Sequence, residues 1–182
     1  MDTWIWIVIA VAAAAVVVAL LAMWAVRGRR RAHLRDRFGR EYDRAVSESS
    51  RRKAERRLSQ VESEHEELEI RPLSEAARER YLEEWRVVEA QFVNEPEEAA
   101  RSAERIVLRA LEERGYPTDR DAAHRAAHLA VDHPDVVERY RHGRAMLGET
   151  RAPEGTENLR KAMLDFRAVF EEIVERERSA AA

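Results

Sequence analysis

Residues 4–26 read WIWIVIAVAAAAVVVALLAMWAV, a stretch of 23 residues without a charged side chain. At about 1.5 Å rise per residue, a helix of this length extends roughly 34 Å, enough to cross a hydrocarbon layer of about 30 Å. Trp4, Trp6 and Trp24 lie near its two ends, where indole rings favour the headgroup boundary. The stretch therefore predicts one transmembrane helix, and we interpret residues 1–26 as an anchor.

A cleaved signal peptide is the main alternative for this stretch, because Ala12 to Ala15 offer small residues of the kind found at cleavage sites. Three features oppose it. The leading Met-Asp-Thr contains no Lys or Arg, the alanines lie in the middle of the apolar run, and the run is longer than a typical signal-peptide core. We therefore expect an anchor that is not cleaved.

Basic residues crowd the carboxyl-terminal side of the apolar stretch, whereas the amino-terminal side carries only Asp2. The positive-inside rule then predicts a single-pass protein of the inner cell membrane, with its N-terminus outside and its C-terminal domain in the cytoplasm. An exported domain outside the membrane is the alternative. The cluster is interpreted as a topology signal that can also contact anionic lipid headgroups. Its members are Arg27, Arg29, Arg30, Arg31, Arg35 and Arg37.

Composition limits what the remaining chain can do. The 182 residues include no cysteine, which excludes disulfides, thiolate nucleophiles, iron–sulfur clusters and cysteine-based zinc sites. The net charge of -3 hides an asymmetry, since residues 27–57 carry 13 basic and 5 acidic side chains while the rest is acidic. The basic stretch lacks interleaved aromatic residues and any reader motif, so no nucleic-acid binding is expected.

Residues 27–72 are dense in charge and predict a basic helical stalk next to the membrane. Their apolar stripe is sparse and spaced like a heptad over only two repeats, too short for a coiled coil. Such a stripe either packs on the following domain or pairs weakly with a second copy of the chain. Its members are Ala54, Leu58, Val61, His65 and Leu68.

Residues 73–178 predict a compact bundle of about five helices, followed by a disordered tail at 179–182. Apolar residues recur at helical spacing, and no segment alternates with the period of a strand, so the fold class is all-α. Gly115 followed by Pro117 predicts a helix end. The expected helix starts are at Ser74, Pro96, Thr118 with Asp121, Pro134 and Thr156.

The sequence contains no motif of a known catalytic or nucleotide-binding type. The six glycines stand alone, so no phosphate-binding loop is present, and no nucleophile elbow occurs. Paired glutamates flank apolar helix positions and are interpreted as solvated faces. We therefore predict a protein that is not an enzyme and has no cofactor.

One histidine pattern keeps a metal-dependent or enzymatic alternative open. His124 and His128 are spaced i and i+4, which places both on one face of a helix, and Asp132 and His133 follow closely. A metalloprotease motif would need a glutamate where Arg125 stands. The favoured interpretation is an exposed histidine pair and a capping role for Asp132 and His133, so no metal ligand is predicted.

Residues 37–44, with Phe38 and Tyr42 among charges, do not follow the stripe of the stalk. They are either a helix break packed on the domain or a docking segment in which Phe38 and Tyr42 anchor a protein partner. The leading functional hypothesis is a membrane-anchored cytoplasmic interaction module that binds a protein through this segment or through grooves of the bundle.

Four short motifs carry a resemblance across most of the chain after the apolar stretch. They are RFGxEYDR at residues 37–44, IRPLS at 70–74, ERGYP at 113–117 and VDHP at 131–134. With them the chain resembles a bacterial family of single-pass membrane or secreted proteins that has no established activity. The resemblance implies the architecture, not a mechanism, and His124 and His128 lie outside its motifs.

Overall fold

The computed structural model describes residues 2–119, 121–148 and 155–175, without the side chains of residues 2, 3 and 5–13. Within these ranges the chain is all-α, as predicted, with eight α-helices and one short π-helix, Glu171–Glu175. The α-helices are α1 Asp2–Phe38, α2 Arg40–Glu48, α3 Arg51–Glu66, α4 Glu75–Gln91, α5 Pro96–Arg114, α6 Ala122–Asp132, α7 Pro134–Gly148 and α8 Gly155–Phe170.

The predicted anchor, residues 4–26, belongs to the long helix α1, but the side chains of residues 5–13 lie outside the described part. Among the residues that the structure describes, no helix has an apolar stretch long enough to span a membrane. The predicted tail at 179–182 also lies outside the described residues.

The boundaries of the bundle helices follow local sequence signals. Ser74 caps α4, since its side-chain oxygen accepts a hydrogen bond from the Ala77 amide at 3.2 Å. Pro96 and Pro134 are the first residues of α5 and α7. Gly115 ends α5 with a φ of 100°, in the left-handed region. These four predictions are confirmed.

Two predicted helix starts are shifted. Asp121, and not Thr118, caps α6, because its carboxylate accepts the His124 amide at 2.8 Å from an extended backbone position. The last helix begins at Gly155, one residue before the expected cap at Thr156, and residues 149–154 before it are not described.

Five helices, α4 to α8, form the predicted bundle around an apolar core. Trp85 of α4 stacks on Phe170 of α8 with ring centroids 4.4 Å apart. Gly143 lets α7 approach α8 closely, since a Cβ at this position would lie 3.1 Å from the Asp165 Cβ and 3.2 Å from Phe166. The last helix with its π-helical end contacts α4, α5 and α7.

The segment predicted as a stalk folds back onto this bundle instead of standing apart from it. Leu34 and Phe38 at the end of α1 are fully buried, and the stripe residues Ala54, Leu58 and Val61 of α3 are at most 3% exposed. Phe38 and Tyr42, which lie outside the stripe, share the burial. For the stripe, packing on the domain is the interpretation that the structure supports.

Helix α3 runs beside the end of α1 in the same direction. Arg31 Nε lies 3.2 Å from a Glu55 oxygen, and His33 Nε2 lies 2.7 Å from a Glu62 oxygen. The later residue of α1 thus pairs with the later residue of α3. Helix α2 makes the return between them. The start of α3 is therefore brought back beside the part of α1 that follows the apolar stretch, and its end reaches α6.

Candidate functional site

The junction of α3 and α6 gathers histidines and carboxylates from segments about sixty residues apart. His65 belongs to the apolar stripe of α3 and is buried, and Glu64 precedes it near the end of the same helix. On α6, the i and i+4 spacing places His124 and His128 over this end of α3. Packing of the two helices thus creates a cluster that neither sequence segment contains alone.

Three of these residues form one compact set of donor atoms. The His128 Nε2 and His124 Nε2 atoms lie 3.7 and 3.8 Å from the same oxygen of Glu64, Oε2. All three donor atoms lie within 4.8 Å of one another. The His128 side chain is almost completely buried, His124 is mostly buried, and Glu64 is partly exposed, so the set is open to solvent on one side.

A chain of hydrogen bonds continues from His128 into the protein. His128 Nδ1 lies 3.4 Å from His65 Nδ1, and His65 Nε2 lies 2.9 Å from Asp132 Oδ2. The Tyr116 hydroxyl donates to the same carboxylate oxygen at 2.7 Å. Because the carboxylate accepts, His65 Nε2 carries a hydrogen; with His65 in its neutral form, His65 Nδ1 is an acceptor and His128 donates from Nδ1. The His128 Nε2 atom is then unprotonated.

The same surroundings shift the pKa values of His128 and Asp132. Burial lowers the pKa of His128 to about 4, and the neighbouring His124 and His65 act in the same direction. Burial alone would raise the pKa of Asp132, but the hydrogen bonds from His65 and Tyr116 outweigh it and lower that pKa to about 2. His128 is therefore neutral and Asp132 is charged at neutral pH.

The observed cluster differs from the predicted one in its members. His124 and His128 are brought together, but His128 is buried, so the interpretation as an exposed pair is wrong. Asp132 lies one layer behind them, and His133 turns to Glu172, with His133 Nδ1 3.2 Å from the carboxylate. Sequence reasoning missed Glu64, His65 and Tyr116, although the stripe position of His65 already indicated that it faces a packed surface.

Phe38 and Tyr42 do not lie on the surface. Phe38 is fully buried and Tyr42 is 5% exposed, with its hydroxyl donating to Glu55 at 3.1 Å. Gly39 between α1 and α2 has a φ of 52°, which breaks the helix there. The segment is therefore the packed helix break. The burial of both aromatic side chains contradicts the prediction that they anchor a protein partner.

The predicted topology arginines are all exposed along α1, and several of them contact α2 and α3. Arg30 donates to Ser59 at 3.2 Å, and Arg35 lies 3.5 Å from Asp43. Beside them lies a surface cavity of about 520 Å³, in which basic residues of α1 and α3 meet the last apolar residues of the predicted anchor. We call Arg27 and Arg30 of α1 and Arg52 and Arg56 of α3 the basic collar.

A second surface feature is a groove of about 650 Å³ between α4 and α5. Val88 and Ile106 are buried in its floor, and Val87 on its edge is 60% exposed. Arg109, paired with Glu84, closes one side. The groove therefore has an apolar floor and charged edges.

Comparison with known proteins gives no relative from which a role can be transferred to these residues. No protein family, no curated protein and no solved structure matches the chain.

Proposed function

We propose that the chain is a membrane-anchored helical module that binds a protein partner at the inner surface of the cell membrane. The observation that carries the proposal is the continuity of α1, which runs without a break from the apolar residues into the core of the bundle. Large apolar side chains between Val16 and Val26 are more than half exposed along this helix. Exposed apolar surface of this extent favours burial in a bilayer.

The continuity of α1 makes the proposed tether stiff. The buried Leu34 lies only eight positions after Val26, which corresponds to about 12 Å along a helix. A flexible linker would let the bundle move far from the bilayer, whereas a helix of this length holds it at the headgroup layer. The bundle is thus proposed to act on partners that are themselves at the membrane.

The basic collar supports the proposed orientation and the contact with anionic headgroups. Arg27 and Arg30 directly follow the apolar stretch, and folding adds Arg52 and Arg56 at the same level. Exposed arginines near a bilayer surface contribute about 1 kcal/mol each toward anionic lipids. They also favour retention of this end in the cytoplasm.

The groove between α4 and α5 is the proposed partner surface, and its proposed occupant is an amphipathic helix of a membrane-associated protein. A groove between two helices, with an apolar floor and charged edges, fits the apolar face of a third helix. Its edges carry both signs of charge, Glu84 and Glu112 as well as Arg105 and Arg109, so a partner with mixed flanking charges would be accepted.

A pair of exposed valines provides the test of the groove. Val87 lines it, whereas Val93, which is 83% exposed, does not. Full-length wild-type, Val87→Glu and Val93→Glu chains would be cross-linked in membranes, and the adducts would be compared by mass spectrometry. We expect Val87→Glu to lose one specific adduct that wild type and Val93→Glu retain. Identical adducts in all three chains would refute the groove as the partner surface.

The anchor and its direction need a separate test. Alkaline extraction is expected to leave the full chain in the membrane fraction, and a reporter that is active only in the cytoplasm is expected to work at the C-terminus. A reporter at the C-terminus that works only outside would establish the exported alternative. Release of the intact chain by alkaline extraction would refute the anchor.

A further inference from the structure

We propose that Glu64, His124 and His128 form a binding site for a divalent transition-metal ion of the zinc type, with one coordination position left open. Two imidazole nitrogens and one carboxylate oxygen are a donor set that such ions prefer, and three protein ligands with an open position occur in zinc sites that bind water or substrate. The proposal stands on the geometry of the α3–α6 junction and is independent of the anchor.

The distances fit a metal ion better than they fit hydrogen bonds. The two histidine nitrogens lie 3.7 and 3.8 Å from Glu64 Oε2, too far for a hydrogen bond. Ligand atoms around a tetrahedral zinc ion, at bond lengths of about 2.0 to 2.2 Å, are roughly 3.3 to 3.6 Å apart. Both nitrogen–oxygen distances exceed this spacing by only a few tenths of an ångström, and the three donor atoms lie within 4.8 Å of one another, so side-chain rotation would have to bring them closer around an ion.

The protonation pattern supplies a second, independent observation. The buried His128 Nε2 atom makes no hydrogen bond. Since His128 donates from Nδ1 to His65, this Nε2 atom presents a lone pair, and the Glu64 oxygen opposite it is also an acceptor. A buried nitrogen lone pair without a donor is costly, and a metal ion bound to it would satisfy it.

The residues around the three ligands already hold them in the required orientation. A metal-binding histidine usually donates its second ring nitrogen to another group, and His128 does so toward His65, which is held by Asp132. On the other side, Gln60 Nε2 donates to Glu64 Oε1 at 2.9 Å, and Oε2 is the oxygen that lies 3.7 and 3.8 Å from the two histidine nitrogens. A bound ion would join α3 to α6 and so fasten α3 to the bundle.

The test uses the full chain, freed of any affinity tag, in a neutral detergent. Zinc binding would be measured by calorimetry and by elemental analysis, and Co²⁺ would be added as a spectroscopic probe. Glu64→Gln and His124→Gln remove one ligand each, and His133→Gln is the matched control because His133 lies nearby but is paired with Glu172. Circular dichroism would establish that each variant is folded.

We expect one zinc ion per wild-type chain, visible absorption bands typical of tetrahedral Co²⁺, and a higher unfolding temperature with zinc. Both ligand variants should lose the Co²⁺ bands and at least about tenfold in zinc affinity, while His133→Gln should behave as wild type. If Glu64→Gln does not fold, His124→Gln, which alters a partly exposed side chain, decides.

Three results would overturn the proposal. The first is a wild-type chain without stoichiometric zinc, and the second is equal zinc binding by wild type and His124→Gln. The third is displacement of zinc by Ca²⁺ or Mg²⁺ at similar concentrations, since these ions prefer sites built from oxygen atoms alone.

Discussion

At the scale of single residues, the backbone conformation and the close neighbours of Gly115 both disfavour any side chain at this position. Its φ of 100° is rare for residues with a side chain, and a Cβ there would lie 2.6 Å from the backbone oxygen of Glu69. We expect Gly115→Ala to lower the free energy of unfolding by about 1 to 3 kcal/mol, measured by urea denaturation. Gly148→Ala is the control, because a Cβ at that position meets nothing within 4 Å. Equal effects at both positions would contradict the assignment.

His128 gives a pH dependence whose sign follows from its lowered pKa. The histidine is neutral in the folded chain down to pH of about 4, but it is protonated in the unfolded chain below about 6.5. Its contribution to stability is therefore complete above pH 6.5 and is lost as the pH falls toward 4. Between pH 7 and 4.5 this loss should reach about 2 kcal/mol.

The measurement is urea unfolding at both pH values with a chelator present, so that bound metal does not contribute. His128→Gln, which cannot be protonated in this range, should show a smaller loss of stability on acidification than wild type. His33→Gln, at an exposed histidine on α1 that pairs with Glu62, removes no buried imidazole and should retain the loss. An unchanged loss in His128→Gln would show that burial of this imidazole does not control the acid response.

At the scale of the helices, one ion pair connects α2 to α7. The Arg141 guanidinium donates two hydrogen bonds to the Glu41 carboxylate, at 3.1 and 2.5 Å, across 100 residues of sequence. Burial raises the pKa of Glu41, and Arg141 opposes that shift. Removing one partner leaves the other charge poorly solvated, so Glu41→Ala should cost about 2 to 4 kcal/mol.

The loss of stability caused by Glu41→Ala should be concentrated in α2 and should depend on the presence of Arg141. Hydrogen exchange should become faster in α2, and adding Arg141→Ala to Glu41→Ala should cost less than the sum of the two single changes. Glu48→Ala, which removes an exposed pair with Arg44 within α2, should have a much smaller effect. Simple additivity of Glu41→Ala and Arg141→Ala would contradict a coupled pair.

The helices that could be predicted from the sequence are those with local boundary signals. Ser74, Pro96, Gly115 and Pro134 determine their boundaries through contacts within a few residues, so α4 to α8 were predicted almost as they are. The packing of α1, α2 and α3 depends on residues distant in sequence. A stripe as sparse as that of α3 indicates which face is apolar, but not which helix covers it.

The histidine cluster, too, could be predicted from the sequence only in part. The spacing of His124 and His128 was visible in the sequence, and it correctly placed both residues on one helix face. Their partner Glu64 lies 60 residues earlier in a segment of ordinary charged residues, where nothing distinguishes one glutamate from the next. The cluster became recognisable only when the packing of α3 on α6 fixed the distances.

At the scale of the whole molecule, the proposed membrane contact predicts that opposite ends of α3 lie at different distances from the bilayer. Ser50, just before α3, adjoins the basic collar, whereas Glu67 lies 17 residues further along, about 25 Å by helical rise. The chain has no cysteine, so a single cysteine at either position can carry one fluorophore. Quenching by headgroup-labelled lipid in nanodiscs should be strong at Ser50 and weak at Glu67.

The charges of the collar should control how closely the bundle approaches anionic lipid. Arg52→Glu with Arg56→Glu should reduce quenching at Ser50 in anionic nanodiscs, because two attractive charges become repulsive at the headgroup layer. In zwitterionic nanodiscs the same double substitution should have little effect, and added salt should diminish the difference between the two lipids. Arg101→Glu with Arg105→Glu on α5 is the matched control for a general change of net charge. Equal quenching at Ser50 and Glu67, or equal effects of both double substitutions, would mean that the collar does not face the membrane.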